Sequence, residues 1–180
     1  MGLFDFLKNK NDDTLDPLKD LVLSKIRPGY MVDYDMKTWQ VTGYNVYDFG
    51  DGYKSEEWEL TSGNETGYLE LYEDDQVEWS MGRKIPIGSL EGNIRQHIID
   101  HEDPPERITY QGTTYFLDES GAAYFLKDGK EPKQEFVYWT FIDESEEKYL
   151  SIEQWGEKEF EASSGVFVED YQFTNILPGE

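Results

Sequence analysis

The chain has 180 residues, room for one domain or two fused modules, and its 16 Lys and Arg against 39 Asp and Glu leave a net charge of −23. A field of that sign repels phosphate backbones and anionic surfaces, so it argues against nucleic acid as a direct partner and favours cations and basic proteins. Apolar residues are only 37%, yet aromatics reach 16%, so rings must supply the core and wholesale disorder is excluded; the absence of cysteine excludes disulfides, thiolate nucleophiles and Cys-type zinc sites.

Residues 1–27 read as a helical tip and lead-in. Leu3, Phe4, Phe6 and Leu7 line one side of a short helical turn, followed by an Asn- and Asp-rich break. Such a tip docks on a partner or a lipid surface, or else packs on its own domain or frays. It is too short and too charged for a signal peptide, and the longest apolar runs fall far short of the roughly 18 residues that cross a bilayer. The expectation is a cytoplasmic protein without a transmembrane segment, with peripheral membrane association left open. Leu15, Leu18, Leu21 and Val22 then fall at helical spacing before the turn Arg27-Pro28-Gly29.

From Tyr30 the texture changes to alternation. Residues 38–47 place Trp39, Val41, Tyr44 and Val46 in a long strand bulged or bent at Gly43. Residues 57–61, 67–72 and 76–81 continue as an antiparallel meander through polar turns, with Leu69 and Leu71 expected to face the core beside Trp58 and Leu60. Residues 89–101 predict the one linking helix: Leu90, Ile94, Ile98 and Ile99 are helically spaced, Ser89 suits an N-cap, and Asp103-Pro104-Pro105 is the stop. Strands are then expected around Ile108, Tyr115, Tyr124, residues 137–141, 149–152, 158–161, 165–168 and 171–174.

The second half repeats features of the first. Val32-Asp33-Tyr34 and Thr38-Trp39-Gln40-Val41 correspond to Ile108-Thr109-Tyr110 and Thr114-Tyr115-Phe116-Leu117, and Trp58 with Tyr68 to Trp139 with Tyr149. Extra residues in the second copy fall between its second and third strands, where insertion costs little. Over residues 58–81 only Trp58, Glu65, Tyr68, Leu69 and Glu78 recur strictly, and any β-rich chain full of Tyr and Trp resembles itself to some degree. The expected fold is mainly β: two related antiparallel meander modules, residues 28–87 and 106–178, packed as a sandwich or as paired small barrels and linked through residues 88–105.

Chemical motifs are few. His97 and His101 are four apart on the predicted helix and could grip a divalent metal, but a zinc site usually needs three or four protein ligands, and the polar edge of an amphipathic helix is the better account of the pair. Carboxylates are too evenly spread for an acid–base pair to be singled out. No phosphate-cradling glycine loop, nucleophile elbow or HExxH sequence occurs, so no cofactor is implied and an enzyme is not favoured. The aromatic set that includes Trp58, Tyr68, Trp139 and Tyr149 either fills the core or offers a face for a sugar, a polyamine or a peptide.

Gly29-Tyr30-Met31-Val32-Asp33-Tyr34, Thr38-Trp39-Gln40-Val41, Trp58-Glu59-Leu60, Gly67-Tyr68-Leu69-Glu70 and Phe173-Thr174-Asn175-Ile176-Leu177-Pro178 together resemble the bacterial domain-of-unknown-function family 4178, over residues 28–178. The resemblance implies a bacterial protein found in company with membrane-stress and polyamine-related proteins, and it carries no catalytic residues. Together these readings point first to a non-catalytic protein-interaction module with a protein partner, the candidates for contact being Leu3, Phe4, Phe6, Leu7 and the four paired rings. The alternatives are a binder of a cationic small molecule such as a polyamine and a carboxylate- or metal-dependent hydrolase.

Overall fold

The computed structural model describes Asp16 and residues 19–179. Leu3, Phe4, Phe6, Leu7, Leu15 and Leu18 therefore lie outside the described residues, and the lead-in that is described forms one 3-10 turn, Leu23–Lys25. Eleven strands and one helix follow: β1 (Met31–Tyr34), β2 (Lys37–Gly50), β3 (Tyr53–Ser62), β4 (Glu65–Glu73), β5 (Val77–Ile85), α1 (Ile94–His101), β6 (Arg107–Tyr110), β7 (Thr113–Lys127), β8 (Gln134–Asp143), β9 (Lys148–Gly156), β10 (Glu159–Val168) and β11 (Thr174–Leu177).

Local chemistry sets the hairpins. Asp35-Met36, Asp51-Gly52 and Gln111-Gly112 each have both residues at positive φ, the two-residue turn whose twist matches that of paired strands. Asp128-Gly129 instead opens a longer loop between β7 and β8, at the place where the sequence has extra residues. The register of β2 slips between Val41 and Gly43, so the bulge falls where the sequence places it, and a Cβ on Gly43 would lie 3.2 Å from that of Glu59. Another slip, between Leu117 and Glu119, bends β7, which is one strand where two were expected.

These bends let each long strand serve two partners. The start of β2 pairs with β1 and its far half, Asn45 to Asp48, pairs with Lys127 to Tyr124 of β7, whose own start pairs with β6. On the other side β5 pairs with β10. The result is one closed eight-stranded antiparallel barrel, β2-β3-β4-β5-β10-β9-β8-β7, with β1, β11 and β6 as extra strands. Neither a sandwich nor a pair of barrels forms, because each meander spends its free edges on the other meander.

Two large apolar clusters lie on the outer side of this ring. The first joins Trp58, Leu60, Leu69, Leu71, Trp79 and Met81 and is covered by Leu23, Ile26, Val32 and Phe173. The second joins Trp139, Phe141, Leu150 and Ile152 and is covered by Ile108, Leu90 and two residues of α1, Ile94 and Ile98. The helix begins at Ile94, not Ser89: Gly92 and Asn93 take left-handed φ values that a helix cannot continue through, and Ser89 ends a 3-10 turn, Ile87–Ser89, with its Oγ donating to the Pro86 carbonyl at 2.5 Å. Near the C-terminus, Asp170–Gln172 is a 3-10 turn and the last strand begins at Thr174, slightly later than the sequence suggests. Among the described residues no helix is long and apolar enough to cross a membrane.

Candidate functional site

Alternation gives every barrel strand a second face. In β4, Tyr68, Glu70 and Tyr72 alternate with buried Leu69 and Leu71; in β5, Ser80, Gly82 and Lys84 follow the opposite face from Trp79 and Met81; in β9, Tyr149, Ser151 and Glu153 alternate with Leu150 and Ile152. Because the apolar face is covered from outside, the polar face lines the lumen. The lumen is a cavity of about 1090 Å³, and its lining carries ten Asp and Glu side chains against two cations, Arg83 and Lys84. An eight-stranded barrel is about wide enough to be filled by side chains or to hold one small ligand.

The strand directions give the lumen a polarity. Asp74 and Asp75 of the β4–β5 turn, Glu146 of the β8–β9 turn, Asp118 at the β7 bulge and Glu169 after β10 all gather at one mouth, since antiparallel neighbours bring those strand ends together. Toward the other end the Lys84 ammonium is paired with the Glu161 carboxylate. Where β2 meets β7, Tyr47, Phe136, Phe125 and Trp155 form an aromatic cluster, with Phe136 and Trp155 stacked at 4.5 Å; the buried Trp155 Nε1 has no hydrogen-bond partner among the described residues.

Between these ends sit Glu57, Glu70 and Glu153. Glu57 is register partner to Glu70; it is buried and accepts hydrogen bonds from Asn45 Nδ2 at 3.0 Å and from the Tyr47 hydroxyl at 3.2 Å. Glu70 accepts one from Ser55 at 2.5 Å. Burial, only partly opposed by Ser55 and reinforced by Glu57 and Glu78, pushes the Glu70 carboxyl up to about 7. Burial, opposed by Lys84 and reinforced by Glu57, Glu161 and Glu70, pushes Glu153 up to about 8. Burial also raises Glu57, although Asn45, Lys84 and Tyr47 pull it back. Lys84 is moved the other way: burial works against its charge, but Glu161 and Glu153 more than restore it and its pKa rises. The set can therefore bind an ammonium by charge-assisted hydrogen bonds, and it can exchange protons near neutral pH.

Tyr149 lies across this wall. A Cβ on Gly165 would fall 2.5 Å from the Met81 carbonyl oxygen and 2.5 Å from Tyr149 Cε1, and one on Gly82 would overlap the Tyr149 hydroxyl. Gly82 and Gly165 are register partners with ordinary extended φ, so they are glycine for space. Burial raises the Tyr149 hydroxyl well above its usual range, with Glu70 adding to the effect.

The residues singled out from sequence divide accordingly. Trp58 and Trp139 are buried scaffold at 1% and 2% exposure; each indole tethers the segment ahead of its sheet, Trp58 Nε1 donating to the Ile26 carbonyl at 2.9 Å and Trp139 Nε1 to Asp103 Oδ1 at 3.2 Å. Tyr68 and Tyr149 come together on the cavity wall. His97 and His101 stack at 4.4 Å on α1, away from that wall, and among the described residues no group of three or more His, Asp or Glu side chains could hold a metal ion. The lumen carboxylates and Lys84 were not distinguishable in the sequence; their only signal was the strict alternation of Glu, Ser and Tyr with Trp and Leu.

A protein of Aquifex aeolicus (strain VF5), described as uncharacterised, is 31% identical over 156 residues, covering 87% of this chain and 85% of its own length. No solved structure matches the chain. The family model described as Domain of unknown function (DUF4178) matches residues 27–170, which take in the whole barrel, and the chain belongs to that family.

Proposed function

We propose that the protein binds a small organic cation, an aliphatic amine, inside the barrel. The observation that carries this reading is the cavity of about 1090 Å³ lined by Glu57, Glu70 and Glu153 with Tyr68 and Tyr149, and with an acidic mouth. Buried carboxyls without matching cations are costly, and an ammonium entering between them relieves that cost while the tyrosine faces cover its methylene stem. The net charge of −23 steers cations toward the same opening. Catalysis has no comparable support; of the contact residues named for a protein partner, Trp58 and Trp139 are buried and Leu3, Phe4, Phe6 and Leu7 lie outside the described residues.

The test is calorimetry and thermal shift with 1,4-diaminobutane, spermidine and spermine. Saturation at a hundredfold excess over Kd should stabilise the fold by about 2.7 kcal/mol. Glu70→Gln combined with Glu153→Gln should weaken binding at least tenfold with the fold retained. No stabilisation at millimolar spermidine, 1,4-diaminobutane or spermine would remove the reading.

The two meanders also read as copies of one unit, bounded near residues 28–87 and 106–178. Support comes from the shared strand order and from the matching tethers of Trp58 and Trp139. Family sequences in which the segments around these two residues cannot be aligned with each other would count against it.

A further inference from the structure

The lumen already contains one ammonium, that of Lys84. Its Nζ is bound by the Glu161 carboxylate, stands 5.5 Å from the centroid of the Tyr68 ring, and lies within the field of Glu153 and Glu57. Those are the groups that a free primary amine would use: carboxylate acceptors and a tyrosine face. Lys84 is on the lumen side of β5, and the mouth with Asp74, Asp75 and Glu146 is at the opposite end. Ser80, the register partner of Glu70, is four residues back along the same strand, roughly 13 Å of extended chain. The lumen thus offers two cation positions in series. The far one, beside Glu161, is filled by the chain itself, and among the described residues no cation is hydrogen-bonded to Glu57 or Glu70.

We infer that Lys84 determines ligand length: its side chain supplies in place the ammonium for the Glu161–Glu153–Tyr68 position, leaving the Glu57–Glu70 position to the ligand. This inference rests on the amine-binding reading of the cavity. In consequence the protein takes a short diamine, and removing the Lys84 charge opens the far position to a longer polyamine. Lys84 is half exposed at 43%, so replacing it does not disturb a packed core.

The experiment is calorimetric titration of 1,4-diaminobutane, spermidine and spermine into the full chain and into Lys84→Met, Lys84→Gln and Lys84→Arg, with circular dichroism confirming the fold. The expected result is that Lys84→Met and Lys84→Gln bind spermine at least tenfold tighter than the parent does, with little gain for 1,4-diaminobutane, while Lys84→Arg keeps the parental order. Should Lys84→Met fail to fold, Lys84→Gln against Lys84→Arg makes the same comparison. An unchanged order of the three amines in the charge-removing variants would overturn the role of Lys84 and leave amine binding standing. No binding of any amine to any of the proteins would overturn both.

Discussion

Glu70 and Glu153 show how one side chain's setting becomes a measurable property. Each has an ordinary value of 4.5, and in the fold burial pushes them to about 7 and about 8. Ionising Glu153 therefore works against the fold. Glu153→Gln, which keeps the shape and removes the charge, should raise Tm above that of the parent at pH 9 by a few degrees, on the order of 1 kcal/mol for a chain this size, and leave it nearly unchanged at pH 5. Scanning calorimetry at the two pH values checks this; a lower Tm at pH 9 would show that the ionised carboxylate is stabilised there. Gly165 is the other informative residue. Gly165→Ala places a methyl against the Met81 carbonyl and the Tyr149 ring, and since the carbonyl cannot move aside the expected loss is about 1–3 kcal/mol in urea unfolding. No loss would mean that β5 and β10 separate easily at this point.

At the scale of elements, an indole hydrogen bond adds to the apolar packing that holds each segment outside the barrel. The Trp139 indole donates to Asp103, which follows α1, so Asp103→Ala leaves a buried N–H without its acceptor and should cost about 1–3 kcal/mol. Protection of α1 amides in hydrogen exchange should fall in parallel, because the helix packs on the same cluster through Ile94 and Ile98. Unchanged protection would mean that apolar burial alone holds the helix. The elements themselves were largely legible. Gly43 marked the bulge in β2, and the alternation of Trp58, Leu60, Leu69 and Leu71 marked the buried face. The helix start was misplaced by five residues because Leu90 has helical spacing but precedes the left-handed Gly92 and Asn93, and φ is a property of the folded chain that spacing does not report. The splitting of β7 into two strands had a similar origin: Asp118, Glu119 and Ser120 interrupt the apolar alternation, yet the backbone continues through them by a bulge.

For the whole molecule, the raised carboxyls set the direction of pH dependence. Glu57, Glu70, Glu78 and Glu153 all hold a proton more tightly folded than unfolded, chiefly through burial. Their contribution to stability is complete below the unfolded carboxyl range and is lost as pH rises through about 7 and about 8 for Glu70 and Glu153. Asp33, lowered by Thr38 and Asn175, acts with the opposite sign, and its contribution is lost only as pH falls below the usual aspartate range. Tm should therefore decline from pH 5 to pH 9, and added salt should lessen the decline by screening the net charge of −23. Amine binding should change in the opposite sense, tightening from pH 6 to pH 9 as the lumen carboxyls ionise, with proton release detectable by calorimetry in buffers of different ionisation enthalpy. A Tm that rises over this range would contradict the assignment of Glu70 and Glu153 to an enclosed acidic lumen.

The sequence by itself determined the β texture, the positions of most turns, the aromatic character of the core and the sign of the molecular field, because all of these follow from neighbouring residues and from composition. It did not determine which of the two strand faces would meet water. That was decided when β2 paired with β7 and β5 with β10, closing the ring and turning an alternation that reads as a wetted surface into the wall of an enclosed acidic cavity. Pairings between residues so far apart in the chain depend on the summed fit of two whole meanders, and so the cavity and its carboxyls exist only in the tertiary structure.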